Sequence, residues 1–391
     1  MKKQISIGIF TFHRSINYGA FMQGYSLSRR LQKWFPEARV EIVDYTSSIM
    51  ENIYKTHLNL STFRHPIAAY LKGRQKNKFH QSLEKLPLSK KRICCDGATD
   101  EVLAMYQDDY DIFVVGSDAV WNWCKRGFPN PYLMNFKKDV IKMSYAASAF
   151  GMGKEYVGEA EREYFAESLK KFSFIGVRDI YTGELVKEIA PSCDPMFTCD
   201  PTVFLDMEDV YSEMGRTREE FKEYIYKRFR IRKDKKLIGL MGAPDGLTKR
   251  LKAEYGDEYI LVGLYHVAKG ADVQIVDVTP FEWAAIFGLF DLTVTSYFHG
   301  TLLSLRNNTP VINVDFCAFS KKNEGKIHDV MRRMELLECH FSDRGAIDGM
   351  MKQIKLVLSL KYEYSKKIRI GMNRLEKSSE MFFEKIQEFS Q

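Results

Sequence analysis

The chain of 391 residues has room for two domains of ordinary size, and its 45% apolar content excludes a disordered protein. The first residues lead directly into a strand-like segment rather than a signal-type apolar run, and no sequence window approaches the ~20 apolar residues of a membrane span. The seven cysteines are odd in number and lack paired zinc spacing, so we expect mostly reduced thiols in a cytoplasmic protein.

The net charge of +7 is distributed unevenly along the chain. Between Lys55 and Arg92 there are ten Lys and Arg residues and a single acid, Glu84. Such a segment either forms solvated basic helices or attracts an anionic substrate or an anionic membrane surface. Aromatic residues on which bases would stack are sparse in it, so we expect no nucleic-acid partner.

The first half of the chain alternates between strand and helix patterns. Apolar, β-branched runs predict strands at 4–11, 40–45, 110–116, 141–147 and 172–178. Helical spacing predicts helices at 21–34, 153–171 and 181–189, with Asp179 as the N-cap of the last. The basic segment at about 50–95 interrupts this alternation and is predicted to form helical hairpins. We assign residues 1–205 to an N-terminal Rossmann-like domain that includes this insertion.

A charged stretch at 206–236 marks the domain boundary, and residues 206–345 are predicted to form a second Rossmann-like domain. Its strands are predicted at 236–242, 259–264, 273–277, 291–295 and 311–315. A capping box at Thr279, with Pro280 and Glu282, begins a buried helix. Residues 346–391 have amphipathic helical patterns and are candidates for packing back on the N-terminal domain. The expected fold is α/β, with two doubly wound domains facing a cleft.

The segment at 291–306, DLTVTSYFHGTLLSLR, joins a buried strand, a tight turn and a helix that begins near His299. A helix N-terminus binds anions through free N–H groups and the helix dipole, and ligands gather beyond the carboxyl ends of the strands in open α/β sheets. Within the turn, His299 is the side chain that exchanges a proton near neutral pH. It is a candidate for acid/base work, and the alternative is a histidine packed in the core.

Six motifs occur in this order along the chain: TFHRSINYGA at 11–20, VGSDAVWN at 115–122, SYAAS at 144–148 with FG at 150–151, VR at 177–178, DPT at 200–202 and TSYFHG at 295–300. Together they resemble the polysaccharide pyruvyl transferase family. The resemblance implies a glycosyltransferase-B-like fold, phosphoenolpyruvate as donor, a glycan acceptor, and a pyruvate ketal on a cell-surface or exopolysaccharide precursor as product. No H-x-x-x-H or C-x-x-C pattern occurs, so we expect neither a metal nor a cofactor besides this co-substrate.

Ketal formation requires a proton donor for the enol carbon, a base for a sugar hydroxyl, and cations for the donor's carboxylate and phosphate. The predicted catalytic residues are His299, Arg178 and Asp118, of which the resemblance supports His299 and Arg178. The predicted donor-binding residues are Arg14, Arg178, Gly300, Thr301 and Lys326. Arginine suits this role because its planar fork matches both anionic groups, whereas Lys326 is included on the resemblance. The alternative for Arg178 is a surface ion pair.

Acceptor contacts are predicted for the polar and aromatic residues of the first two motifs, namely Asn17, Tyr18, Ser117, Trp121 and Asn122. For Trp121 a sugar platform and simple packing within the domain both stay open. Two other functions also stay open: a glycosyltransferase that uses a nucleotide sugar, and a non-catalytic glycan-binding member of the family. The acceptor is expected to be a glycan or a lipid-linked glycan at the inner membrane face. The sequence carries no signature of the oligomeric state.

Overall fold

The computed structural model describes residues 4–48, 51, 66–94, 99–123, 128, 131–136, 138–152, 157–315 and 325–390. The chain divides into two compact units, each built around one sheet of parallel strands. Unit 1 comprises Met1–Lys55, Leu83–Phe204 and Leu375–Gln391. Unit 2 comprises Thr56–Ser82 and Leu205–Arg374.

The sheet of unit 1 has the strand order β3-β2-β1-β4-β5-β6-β7. Its strands are β1 (Ser6–Phe10), β2 (Arg39–Thr46), β3 (Leu88–Cys94), β4 (Ile112–Val115), β5 (Ile141–Ala147), β6 (Phe174–Val177) and β7 (Met196–Phe197). Residues of β1 and β4 are buried throughout, because both faces of a parallel sheet are covered. The strand order reverses between β1 and β4, where open α/β sheets bind their ligands.

The sheet of unit 2 has the strand order β10-β9-β8-β11-β12-β13. Its strands are β8 (Lys236–Met241), β9 (Tyr259–Leu264), β10 (Val273–Ile275), β11 (Leu292–Thr295), β12 (Val311–Val314) and β13 (His340–Phe341). The strand order reverses between β8 and β11. The segment at 291–306 therefore starts at the reversal point, as a ligand site would.

Helices cover the strands of both sheets. The first seven are α1 (Tyr18–Trp34), α2 (Pro66–Ser82), α3 (Thr99–Tyr106), α4 (Glu159–Lys170), α5 (Ile180–Ile189), α6 (Met207–Glu213) and α7 (Arg218–Arg228). The next seven are α8 (Asp245–Tyr255), α9 (Pro280–Ile286), α10 (Phe298–Arg306), α11 (Lys326–Arg333), α12 (Ile347–Ser359), α13 (Lys361–Lys377) and α14 (Glu380–Ser390). None of the helices among the described residues is both long enough and apolar enough to span a bilayer.

Two helix starts confirm predictions made from capping residues. The Asp179 carboxylate accepts a hydrogen bond of 2.8 Å from the backbone N–H of Thr182 and so caps α5. Thr279 and Glu282 form the reciprocal capping box at the start of α9. These local signals are readable from sequence because each depends on residues three positions apart.

The prediction for the basic segment at about 50–95 is wrong in two respects, although residues 52–65 of it lie outside the described part of the chain. Its end forms β3, an edge strand paired with β2, whose lysines face solvent and so hide the strand pattern. Its helix α2 belongs to unit 2 instead of the N-terminal domain. Arg74 and Lys78 on α2 form ion pairs of 2.8 and 3.1 Å with Asp277, which holds the helix there.

The last helix, α14, packs within unit 1. Its Phe382 ring lies 4.7 Å from the Tyr145 ring, and its Phe383 ring stacks on Trp34 at 4.9 Å. Unit 1 therefore includes the C-terminal end of the chain as well as its beginning.

Candidate functional site

At the carboxyl edge of the unit 1 sheet, Arg178 is bound by two aspartates. The guanidinium lies 3.0 Å from an Asp200 carboxylate oxygen and 3.4 Å from one of Asp118, and the Arg178 side chain is 2% exposed. Ser117 donates a hydrogen bond of 3.3 Å to Asp200. Burial would lower the pKa of Arg178, but the charges of Asp118 and Asp200 outweigh it and raise that pKa. The arginine is therefore a fixed charge at the centre of this cluster.

Asp118 is held in an unusual backbone conformation. Gly116 has φ 120° and Asp118 has φ 83°, both in the left-handed region. A Cβ at position 116 would lie 2.0 Å from the Tyr145 carbonyl oxygen, so this close approach requires glycine. The Asp118 side chain is 17% exposed, against 1% for Asp200. Strained residues concentrate at functional sites, and here the strain turns one carboxylate of the cluster towards the surface.

A second cluster joins the ends of β1 and β2. Arg14 donates two hydrogen bonds, of 2.5 and 2.6 Å, to the two carboxylate oxygens of Asp44. The buried His13 ring lies between Asp44, at 3.0 Å from Nε2, and the Thr11 carbonyl, at 3.2 Å from Nδ1. Burial would raise the pKa of Asp44, but hydrogen bonds and charges from Arg14 and His13 hold it well below its usual range.

These contacts correct the predicted role of Arg178. Its guanidinium is buried against Asp118 and Asp200, so it does not offer a free fork to a donor, and a surface ion pair is equally wrong. The guanidinium instead forms ion pairs with both carboxylates. The Arg14 guanidinium binds Asp44, but the Arg14 side chain is 19% exposed. The contact between Arg14 and a donor stays a prediction.

Most of the predicted acceptor residues lie in the core. Trp121 packs edge-on against Phe165 at 5.5 Å and Phe172 at 6.1 Å, and its indole N–H donates to the Tyr132 carbonyl. A ring enclosed in this way cannot stack on a sugar, so the packing alternative is correct. The predicted acceptor residues with 0% exposure are Tyr18, Ser117, Trp121 and Asn122. They are wrong as acceptor contacts, because the loop after β4 folds back onto the sheet and Tyr18 is a buried residue at the start of α1.

Asn17 is exposed at the start of α1, but it has a structural role. Its side-chain oxygen accepts hydrogen bonds from the N–H groups of Gly19, at 2.9 Å, and Ala20, at 3.3 Å. It is the N-cap of the helix, a function that asparagine serves well. A contact between Asn17 and an acceptor sugar stays a prediction.

At the carboxyl edge of the unit 2 sheet, α10 begins immediately after the turn that follows β11. His299 is the second residue of α10 and is half-buried, with its ring 5.3 Å from that of Phe298. The ring is thus neither fully exposed nor fully buried, and its Nε2 atom is buried, so acid/base work and a packed core position both stay open. A Cβ at Gly300 would lie 2.6 Å from the Thr295 hydroxyl, so glycine lets the helix approach its strand.

Two further predicted residues adjoin this helix N-terminus. The Thr301 hydroxyl is buried, donates to the Tyr297 carbonyl at 3.1 Å and accepts from Asn313 at 2.5 Å, so it holds the turn together. Lys326 begins α11 and places its ammonium 5.0 Å from the centre of the Phe298 ring. His299, Gly300, Thr301 and Lys326 thus lie together, combining a titratable ring, a helix N-terminus and a cation.

Some residues of these edges were missed from the sequence. Asp44 and Asp200 are the acids that pair with Arg14 and Arg178. Tyr297 and His266 lie with their rings 5.5 Å apart at the unit 2 edge. The available signal was an acid near the carboxyl end of a buried strand, as Asp44 is in β2, because parallel strands end at a shared edge.

Two parallel-sheet units with these edges define a two-domain α/β protein of the glycosyltransferase-B type. The chain resembles the UDP-GlcNAc 2-epimerase from Neisseria meningitidis bound to UDP-GlcNAc, with TM-score 0.58 and 10% identity over 98% of this chain and 100% of that chain. It also resembles the Methanocaldococcus jannaschii UDP-GlcNAc 2-epimerase, with TM-score 0.51 and 10% identity over 91% and 93% of the two chains. For a variant of the wall teichoic acid polymerase TagF the TM-score is 0.50, at 14% identity over 99% and 89%. These likenesses confirm the predicted fold class.

The sequence identifies the family of the chain, which the fold alone does not. A sequence model of the family described as polysaccharide pyruvyl transferase matches residues 17–316. The chain belongs to this family, as the six motifs indicated, and family membership supports a transferase that modifies glycans. A comparison with curated proteins found no match.

Proposed function

We propose that the protein transfers a pyruvyl group from phosphoenolpyruvate to a glycan, forming a pyruvate ketal on a cell-surface or exopolysaccharide precursor. The observation that carries the proposal is the turn at 295–301, where a half-buried His299 adjoins a helix N-terminus and Lys326. A donor with a carboxylate and a phosphate on three carbons needs a cation and backbone donors close together. The family supplies the reaction class.

In the proposed mechanism, the first turn of α10 binds one anionic group of the donor through backbone N–H groups, and the Lys326 ammonium balances its charge. His299 gives a proton to the enol CH₂ carbon, which becomes a methyl group. A sugar hydroxyl attacks the neighbouring carbon, and the bond from that carbon to the phosphate oxygen breaks. A second hydroxyl then closes the ketal. Of the two hydroxyl protons, one replaces the proton that His299 gave and the other leaves with phosphate.

Asp118 stays the candidate base for a hydroxyl. Its carboxylate is the more exposed of the two that bind Arg178, and its Oδ1 also accepts a 2.7 Å hydrogen bond from the Ala119 N–H. The neighbouring guanidinium fixes its orientation. Arg178 thus acts as a positioning residue in the proposed reaction.

The donor half of the proposal is tested by calorimetry with phosphoenolpyruvate. His299→Gln should bind the donor as the wild type does, whereas Lys326→Ala should weaken binding roughly tenfold, the loss of one charge-assisted contact. His80→Gln, which changes an exposed histidine of α2, is the matched control and should change neither binding nor turnover.

The product half is tested by mass spectrometry of cell-surface glycans from cells with the protein, without it, and with His299→Gln. A pyruvate ketal should appear only with the wild type. Binding of a nucleotide sugar, with none of phosphoenolpyruvate, would replace the proposal by a nucleotide-sugar glycosyltransferase. Binding of glycan alone would identify a non-catalytic family member.

We also propose a lipid-linked acceptor at the cytoplasmic face of the inner membrane, which the cation excess at 55–92 supports. Sedimentation with liposomes should show binding that increases with anionic lipid. Binding that stays unaffected by anionic lipid would contradict this part of the proposal.

A further inference from the structure

The helix α2 brings positive charge to the carboxyl edge of the unit 2 sheet. Its buried Gln75 donates to the Tyr265 carbonyl at 3.4 Å, directly beyond the end of β9. Arg74 and Lys78, on one flank of the helix, form ion pairs with Asp277, directly beyond the end of β10. The helix therefore lies across the ends of these two strands.

Beside the end of β10, cations outnumber the carboxylates that they pair with among the described residues. Arg228 also binds Asp277, at 3.2 Å, and lies 3.4 Å from Glu282, so three cations share two acids. Lys72 lies on the other flank of α2 from Arg74, because residues two positions apart are turned by about 200°. It is exposed and forms no ion pair with any residue that the structure describes. An unneutralised cation at a strand end attracts an anion.

An aromatic surface adjoins Lys72. His266 follows β9, and its ring lies 5.5 Å from the Tyr297 ring at an interplanar angle of 36°. Tyr297 is 38% exposed and is the residue before α10. Lys72 lies one helical turn before Gln75, whose side chain contacts the carbonyl of Tyr265, the residue before His266. Burial, and then the charge of Lys72, lower the pKa of His266.

The end of β8 supports this aromatic surface. Gly242 has φ 77°, and a Cβ at that position would lie 2.9 Å from Cε2 of Tyr297. The Tyr297 ring therefore rests directly on backbone. A ring that is supported on one side and partly exposed offers a face on which a flat or apolar ligand surface stacks.

We propose that Lys72, His266 and Tyr297 form a binding site for a phosphorylated sugar, with the phosphate on Lys72 and the sugar ring on Tyr297. A compact ammonium suits phosphate, and the His266 ring has an N–H to donate to the ligand. The assignment of this sugar phosphate to the acceptor rests on the proposed function. The donor is assigned to His299 and Lys326, so the two ligands have separate residues.

Calorimetry with glucose 1-phosphate, glucose and inorganic phosphate tests the site, in the absence of phosphoenolpyruvate. Lys72→Ala should weaken binding of glucose 1-phosphate and of phosphate roughly tenfold. Tyr297→Ala should weaken glucose 1-phosphate and leave phosphate unchanged, while Tyr297→Phe should restore the sugar contact. Lys355→Ala, which removes an exposed lysine of α12, is the control and should change nothing. Thermal unfolding of each variant checks that it is folded.

Three results would overturn the site: no binding of glucose 1-phosphate to the wild type at millimolar concentration, equal binding by Lys72→Ala, or equal loss in Lys72→Ala and Lys355→Ala. Titration of phosphoenolpyruvate separates the acceptor from the donor. If Lys72→Ala weakens phosphoenolpyruvate as much as glucose 1-phosphate, the residues hold the donor and the acceptor assignment is wrong. Because these titrations need no ketal formation, failure of the proposed function leaves their outcome interpretable.

Discussion

The carboxyl edges of the two sheets share a topology and differ in their electrostatics. In unit 1, Arg14 and Arg178 bind carboxylates that are themselves buried. In unit 2, His299 is half-buried, Lys326 lies over an aromatic ring and Lys72 is exposed. The unit 1 edge thus pairs Arg14 and Arg178 with buried acids, whereas the unit 2 edge has the exposed Lys72, which forms no ion pair with a described residue.

This difference predicts where substitutions act. A buried ion pair contributes little net stability, but removal of one partner leaves an uncompensated charge and is strongly destabilising. An exposed cation is solvated with or without a ligand, so its removal costs little stability. Substitutions at the unit 1 edge should therefore lower the free energy of unfolding, and those at the unit 2 edge should lower affinity.

The largest expected effect is that of Arg178→Met. The substitution leaves Asp118 and Asp200 without their shared cation, and we expect the free energy of unfolding of unit 1 to fall by about 3–5 kcal/mol. Urea denaturation followed by tryptophan fluorescence measures it, since Trp121 lies in the same unit.

Two further variants test whether the loss of stability comes from the uncompensated carboxylates. Adding Asp200→Asn to Arg178→Met removes one uncompensated charge, so the double variant should be more stable than Arg178→Met alone. Lys187→Ala breaks an exposed pair with Asp194 and should change stability by less than ~0.5 kcal/mol. A cost for Arg178→Met no larger than that of Lys187→Ala would show that the unit 1 edge is not a buried charge network.

Two glycines allow a matched comparison of the edges. At Gly116 a Cβ would meet a backbone carbonyl at 2.0 Å, whereas at Gly242 it would meet the Ser296 hydroxyl at 2.2 Å, a side chain that can rotate. Both residues have positive φ, so alanine is strained at both. We expect Gly116→Ala to cost about 2–4 kcal/mol and Gly242→Ala about 1–2 kcal/mol. Thermal unfolding ranks the two, and the reverse order would contradict the comparison.

Lys142 is a buried cation of unit 1 whose ammonium binds a carbonyl. It donates to the Met134 oxygen at 2.6 Å, and burial, then the charge of Lys171, lower its pKa to about 8. Between about pH 8 and the ordinary value of 10.5, the unfolded chain holds a proton that the folded chain has lost. Stability should therefore rise with pH across this window, by about 2 kcal/mol.

The Lys142 prediction is measured as the difference in free energy of unfolding between wild type and Lys142→Met at several pH values. The difference cancels the other groups that titrate in the same range. We expect the free energy of unfolding of the wild type, relative to that of Lys142→Met, to increase from pH 8 to 10.5. A difference that is independent of pH would show that the ammonium is better solvated than its position on β5 implies.

How much of the structure the sequence could predict depends on how far apart along the chain the interacting residues lie. Strands β5 and β9 match their predicted bounds, because an apolar run bounded by polar residues is a local signal. The burial of Trp121 is set by Phe165 and Phe172, more than 40 residues away, and could not be read. The role of Asp200 depends on Arg178 in the same way. The turn at His299 was predictable because strand, glycine and helix start are contiguous.

The smallest expected effect on stability is that of His299→Ala, and it is the most informative about unit 2. The ring is half-buried and packs edge-on against Phe298, so we expect a loss below ~1 kcal/mol in the free energy of unfolding. The same variant should abolish ketal formation if the proposed function holds. Urea denaturation and the glycan assay on one preparation measure both. A loss of several kcal/mol would mean that His299 supports the fold as Arg178 does, and the contrast between the two edges would then fail.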